Sequence, residues 1–128
     1  MKIFIKIVLS AIIAFILIIA GGVFYLTRGL DSGSRIDVRV VDMSAVEDGT
    51  YIGEYKAGRF TNKVNVTVKD HKITKIDIEK DVTFNKPEWT KLIMERVLEK
   101  QNTDIDVVSG ATVTSKAYLK AIENALSK

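Results

Sequence analysis

The chain has 128 residues, 47% of them hydrophobic, with one proline and no cysteine. This excludes a disordered chain, a disulfide framework, a thiolate metal centre and a lipidated cysteine, and the single histidine excludes multi-histidine metal sites. Lys2, Lys6 and Arg28 carry the whole net charge of +3, because residues 1–30 hold no acid and the rest of the chain balances, leaving no basic footprint for nucleic acid.

The run Ile7–Thr27 is uncharged and dominated by Ile, Leu, Val, Phe and Ala. A helix of that length reaches ~31 Å, against ~30 Å of bilayer hydrocarbon. Tyr25 stands near its far edge, where a ring with a polar tip prefers the interface. A cleaved signal peptide is the rival reading, with an apolar core of ~7–15 residues and an Ala-x-Ala-like site. This run is longer, and Ala20-Gly21-Gly22 is a poor site. An uncleaved membrane anchor over residues 1–30 is therefore expected. Lys2, Lys6 and the amino terminus precede the span, and Arg28, Arg35 and Arg39 follow it. The charge leans mildly toward an inside N-terminus, which puts the bulk of the chain on the extracytosolic side.

Gly29–Ser34 reads as a flexible linker. Ile36, Val38 and Val40 alternate, so Arg35–Asp42 reads as a strand or an extended lead-in. Residues 31–47 thus form linker and lead-in, ahead of a domain at 48–128. Asp48-Gly49 signals a turn. Thr50–Lys56 is a strand candidate in which Gly53 allows close backbone approach or a bulge. Val64, Val66 and Val68 alternate strictly, Asp70-His71 turns the chain, and Ile73–Ile78 returns as the partner strand. Asn85 reads as a helix cap, with Pro87 in the first turn and Glu88 as an early acid. Trp89, Leu92, Ile93 and Val97 share one helical face. Asp104–Val108 reads as a short strand or extended piece. After Thr112, the residues Tyr118, Ala121, Ile122 and Ala125 mark a last amphipathic helix running to about Ser127. The sum is an α+β chain: a small antiparallel sheet with two helices, preceded by one N-terminal transmembrane helix.

One stretch carries chemistry: Asp106-Val-Val-Ser109-Gly110-Ala111-Thr112-Val-Thr114-Ser115, leading into the last helix. It reads as a tight turn feeding a helix start. Gly110 can take positive φ, and Ala111 leaves room beside it. Ser109, Thr112, Thr114 and Ser115 place hydroxyls around a first turn whose N–H groups lack partners, a setting that suits a phosphate. Taken alone, the same residues serve equally as a glycine turn with Thr114 or Ser115 as N-cap.

The order of segments resembles the FMN-binding domain family. It runs Asp48-Gly-Thr-Tyr-x-Gly-Glu-Tyr, then the valine hairpin with Lys69-Asp-His-Lys-Ile-Thr-Lys-Ile, then Asp106-x-x-Ser-Gly-Ala-Thr-x-Thr-Ser. The chain looks like a minimal relative of the flavinylated subunits of sodium-pumping NADH:quinone oxidoreductase and of the related ferredoxin-linked complex, over residues 48–127. The resemblance implies FMN esterified through its phosphate to Thr112, with Ser109, Gly110, Ala111, Thr114 and Ser115 around it. It also implies a separate Mg-dependent flavin transferase that uses FAD as donor and recognises a motif including Asp106. That fits a threonine with no evident base nearby, since His71 reads as a turn residue.

Larger members carry a glycine-rich Glu-Thr-Pro-Gly segment where this chain has Asp81-Val-Thr-Phe-Asn-Lys-Pro-Glu-Trp. Phe84, Trp89, Tyr51, Tyr55 and Phe60 are candidates for a stacking wall, although filling the core is the commoner task for each ring. Lys56, Arg59 and Lys63 are candidates to neutralise a phosphate, although solvated strand-face charges are commoner still. The implied function is an anchored electron-transfer carrier rather than a free-standing enzyme. Its partners would be the membrane, a flavin transferase and membrane or extracellular redox partners, with no nucleic acid. The alternatives are a module that holds or senses FMN non-covalently and a flavin-free anchored interaction domain.

Overall fold

A computed structural model describes residues 1–28 and 36–127. The linker at 29–34 and Arg35 lie outside the described residues. Helix α1 spans Lys2–Thr27, its most apolar 18 residues have mean hydropathy 3.0, and none of its residues is buried against the rest of the protein. It is long and apolar enough to cross a membrane.

The sheet has three antiparallel strands in the order β1 (Gly49–Tyr55), β2 (Asn62–Lys69), β3 (Lys72–Lys80). The β2–β3 hairpin closes through Asp70 and His71, whose φ values of 52° and 59° both lie in the left-handed region that two-residue hairpins demand. Asp48 Oδ1 accepts from Asp70 N at 2.7 Å, and His71 Nδ1 lies 2.8 Å from Val46 O. His71 is therefore committed to the turn.

Val64, Val66 and Val68 are buried on one face of the sheet, with Ile73 beside them, as the alternation requires. Burying each such side chain contributes about 1.5–3 kcal/mol. Helix α2 (Pro87–Lys100) covers this face with Ile93 and Val97. Helix α3 (Thr112–Leu126) covers it with Tyr118, Leu119, Ile122 and the alanines 121 and 125. Gly53 is the point of closest approach, since a Cβ there would sit 1.9 Å from Ala121 O and 2.7 Å from Ala125 Cβ. Close approach, not a bulge, is the reason for this glycine.

Two local expectations need correction, and two segments left open between strand and extended chain are extended. Asn85 does not cap α2: the N-cap is Lys86, without a side-chain bond, and Asn85 Nδ2 donates instead to Asp81 Oδ2 at 2.7 Å. Neither Thr114 nor Ser115 caps α3, because the helix begins at Thr112 and its N-cap is Ala111, which has no side-chain acceptor. The alternation at 36–42 makes no ladder. That segment is an extended strap, with Val41 N and O bonded to the Asn102 side chain and Arg39 O accepting from Thr103 Oγ1. Residues 104–108 likewise join no sheet, and Arg96 Nη1 holds them by donating to Asp106 O at 2.8 Å.

Candidate functional site

The start of α3 is built by the turn before it. Gly110 has φ 81°, the left-handed conformation anticipated for it, and Ala111 N donates to Val108 O at 2.9 Å. Ser115 N closes the first helical bond on Ala111 O at 2.8 Å. The N–H groups of Thr112, Val113 and Thr114 have no carbonyl one turn back. The first turn holds no acid, so the positive end of the helix dipole faces outward uncompensated.

That corner opens on a groove of about 530 Å³. Gly110, Ala111, Thr112, Val113 and Thr114 form one wall; Arg59, Phe60, Phe84, Lys86 and Trp89 form the other. A groove of this size falls within the ~300–1,000 Å³ usual for small-molecule sites. Its lining carries two cations and no carboxylate or imidazole. The Arg59 guanidinium lies 4.3 Å from the Phe60 ring centroid and 5.8 Å from that of Phe84, while Lys86 Nζ lies 4.3 Å from that of Trp89. Phe84 is 56% exposed and presents its ring to this groove.

A polar network fixes the loop that presents Phe84. Asp81 Oδ1 accepts from the Tyr118 hydroxyl in a short bond and from Val82 N at 2.8 Å. Asp81 Oδ2 takes the Asn85 amide, and Tyr118 Oη also meets Thr90 Oγ1 at 3.1 Å. Thr83 N donates to Arg59 O at 2.9 Å, which ties this loop to the Gly58–Phe60 turn. Burial drives the Tyr118 phenol pKa far above its ordinary value, and the hydrogen bond to Asp81 adds to the rise.

The four hydroxyls of the motif separate cleanly. Thr112 is exposed and lines the groove; Thr114 lines it half-buried. Ser109 is exposed on the loop but outside the lining. Ser115 is buried, and its Oγ accepts from Val108 N at 3.2 Å, so it anchors the turn from beneath. Asp106 is exposed in a second depression with Arg96, Glu99 and Lys100.

Of the five candidate rings, Phe60, Phe84 and Trp89 line the groove, whereas Tyr51 and Tyr55 pack against the core. Arg59 is the one candidate cation present in it. Lys56 pairs with Glu54 at 3.7 Å and Lys63 with Glu79 at 3.5 Å. Sequence reasoning missed Lys86, which stands in the helix opening between Asn85 and Pro87. It also missed Arg96; its alignment with Asp106 O depends on folding of the 101–108 connection.

A family model described as FMN-binding domain matches residues 58–127, which take in β2, β3, α2, α3 and every residue lining the groove. No curated protein matches the chain.

Proposed function

The chain belongs to the FMN-binding domain family, and from that premise we propose that it is a membrane-anchored electron carrier whose FMN is joined by a phosphoester to Thr112 Oγ1. One observation carries the assignment: of the four motif hydroxyls, Thr112 alone is both exposed and in the groove, at the open start of α3. The donor set fits the group. Free N–H groups at Thr112–Thr114 with Arg59 and Lys86 suit a phosphate, and the faces of Phe84 and Trp89 suit a flat aromatic ring system. FMN, when bound, supplies the one- and two-electron chemistry that the side chains of this cysteine-free chain do not.

Thr112 needs an outside catalyst, because the groove lining holds no base to take its proton. The proposed agent is a flavin transferase with FAD as donor. The Thr112 Oγ–phosphorus bond would form as the pyrophosphate bond of FAD breaks, with AMP as the leaving group and the threonine proton taken by a base of the transferase. Exposure of Thr112 and of Asp106 on the preceding loop supports access for such an enzyme. The mild lean of the charge flanking α1 supports an extracytosolic side for the carrier domain, with membrane or extracellular redox partners. A second reading, non-covalent FMN holding, draws on the same free N–H groups and cations, which bind a phosphate without an ester.

Co-expression with a flavin transferase, followed by denaturing electrophoresis and in-gel fluorescence, decides between them. The wild type is expected to fluoresce after denaturation, Thr112→Ala to be dark and Thr112→Ser to retain the band. A wild type that is yellow when native and dark when denatured would favour non-covalent holding. A colourless wild type would leave a flavin-free interaction domain.

A further inference from the structure

The groove that holds Thr112 shares a wall with a second, larger one. That neighbouring groove, of about 660 Å³, is lined by Tyr25 and Arg28 from the end of α1, by Glu54, Lys56 and Thr61, and by Lys80 at the end of β3. The Gly58–Phe60 turn separates the two. Its Arg59 lines the Thr112 groove and, through Nε, donates to Leu26 O of α1 at 2.8 Å. At Gly58, with φ 53°, a Cβ would stand 2.8 Å from Arg28 O. The end of the apolar helix is thus seated on the turn that forms one wall of the flavin groove.

Charge on this face is lopsided. The two linings together present Arg28, Lys56, Arg59, Lys80 and Lys86, against Glu54 alone. Beyond residue 30 the chain as a whole balances, whereas these linings hold Lys56, Arg59, Lys80 and Lys86 with one acid. Aromatic rings stand among them: Tyr25 on α1, exposed Phe84, and Trp89 beneath Lys86. Rings and long basic side chains around the end of a membrane helix are the composition that settles at headgroup depth, and clustered Lys and Arg there attract anionic lipid.

We propose that the neighbouring groove, from Tyr25 and Arg28 across Lys56 to Lys80, binds anionic phospholipid headgroups and thereby holds the Thr112 groove, with Phe84 and Lys86, open beside the bilayer surface. The proposal rests on α1 spanning the membrane. It restricts which redox partners reach the flavin: those in or on the membrane meet it first.

Trp89 is the only tryptophan, so its fluorescence reports on this face alone. The test places the flavin-free full chain in vesicles of phosphatidylcholine, with and without phosphatidylglycerol. With the anionic lipid, Trp89 emission is expected to shift to the blue and to lose most of its quenching by acrylamide. Raised salt, or Lys56→Gln with Lys80→Gln, is expected to restore the quenching seen in phosphatidylcholine. Equal quenching in both lipids, with the chain floating in both, would overturn the headgroup site and leave the anchor standing. A chain that floats with neither vesicle would overturn the anchor, and the headgroup site with it.

Discussion

The two helices that cover the sheet begin in opposite ways. At α2, Pro87 sits in the first turn with no N–H to satisfy, Glu88 supplies negative charge, and Trp89 N and Thr90 N both donate to Lys86 O. At α3 there is neither proline nor acid in the first turn, and neither helix has a side-chain cap. Both helices are comparable in length and both bury one face against the same sheet. Pro87 and Glu88 compensate the start of α2, whereas the start of α3, without either device, leaves its N–H groups facing a groove with cations and rings. That contrast supports the proposed position of the phosphate at α3 and not at α2.

The largest expected effect comes from striking the body of α3 while leaving its start intact. Gly53→Ala would drive a methyl group into Ala121 O and Ala125. Such overpacking costs about 1–3 kcal/mol, at times more, and thermal unfolding should fall accordingly. Flavin content should drop only in proportion to the folded fraction, as loss of structure rather than of chemistry.

The loop opposite the start of α3 depends on Tyr118. Tyr118→Phe removes a bond to a carboxylate and should cost roughly 1–3 kcal/mol at neutral pH by denaturant titration. The folded phenol has a raised pKa, so it stays neutral where the unfolded one ionises. Its contribution is therefore complete below the ordinary phenol value of about 10 and declines as pH rises past it. The variant should lack that part of the alkaline loss. Identical pH profiles for the two proteins would remove Tyr118 from the account.

The turn leading into α3 is strained for any residue but glycine. Gly110→Val should cost ~1–2 kcal/mol from its positive φ and reduce flavin loading by misaligning Thr112. A Cβ at Gly110 would meet no atom within 4 Å. Strain, not collision, is the mechanism, so Gly110→Asn should lose less than Gly110→Val.

The smallest effect is the most diagnostic for the contrast between the helices. Thr114→Glu would give α3 the acid that α2 already has. Its dipole interaction should add ~0.3–1 kcal/mol to stability while flavin loading falls, two readouts moving in opposite directions. Thr114→Ala should change stability by under about 0.5 kcal/mol, since Thr114 makes no capping bond.

Sequence periodicity revealed the fold where one local rule decided the outcome. Val64, Val66 and Val68 had only one way to share a buried face, and Gly53 only a few reasons to interrupt a strand. The motif around Gly110 announced the turn, and with it the corner that carries Thr112. What stayed hidden was decided by distant partners. Asn85 had the composition of a cap and is drawn away by Asp81, which itself answers to Tyr118 on another helix. Ser115 and Thr112 look alike in the sequence, and only the packing of the 106–111 loop puts one beneath the turn and the other outside it. The 36–42 strap alternates like a strand, yet side chains of Asn102 and Thr103 take the hydrogen bonds a ladder would have used.

The claim at the centre is that the open start of α3 carries a covalent flavin at Thr112. The intact mass of the protein purified from its own membranes, followed by mapping of the peptide that contains residues 106–115, tests it most directly. The account predicts an increment of FMN less one water, located on Thr112. An unmodified mass, or the same increment on Ser109 or Thr114, would contradict it.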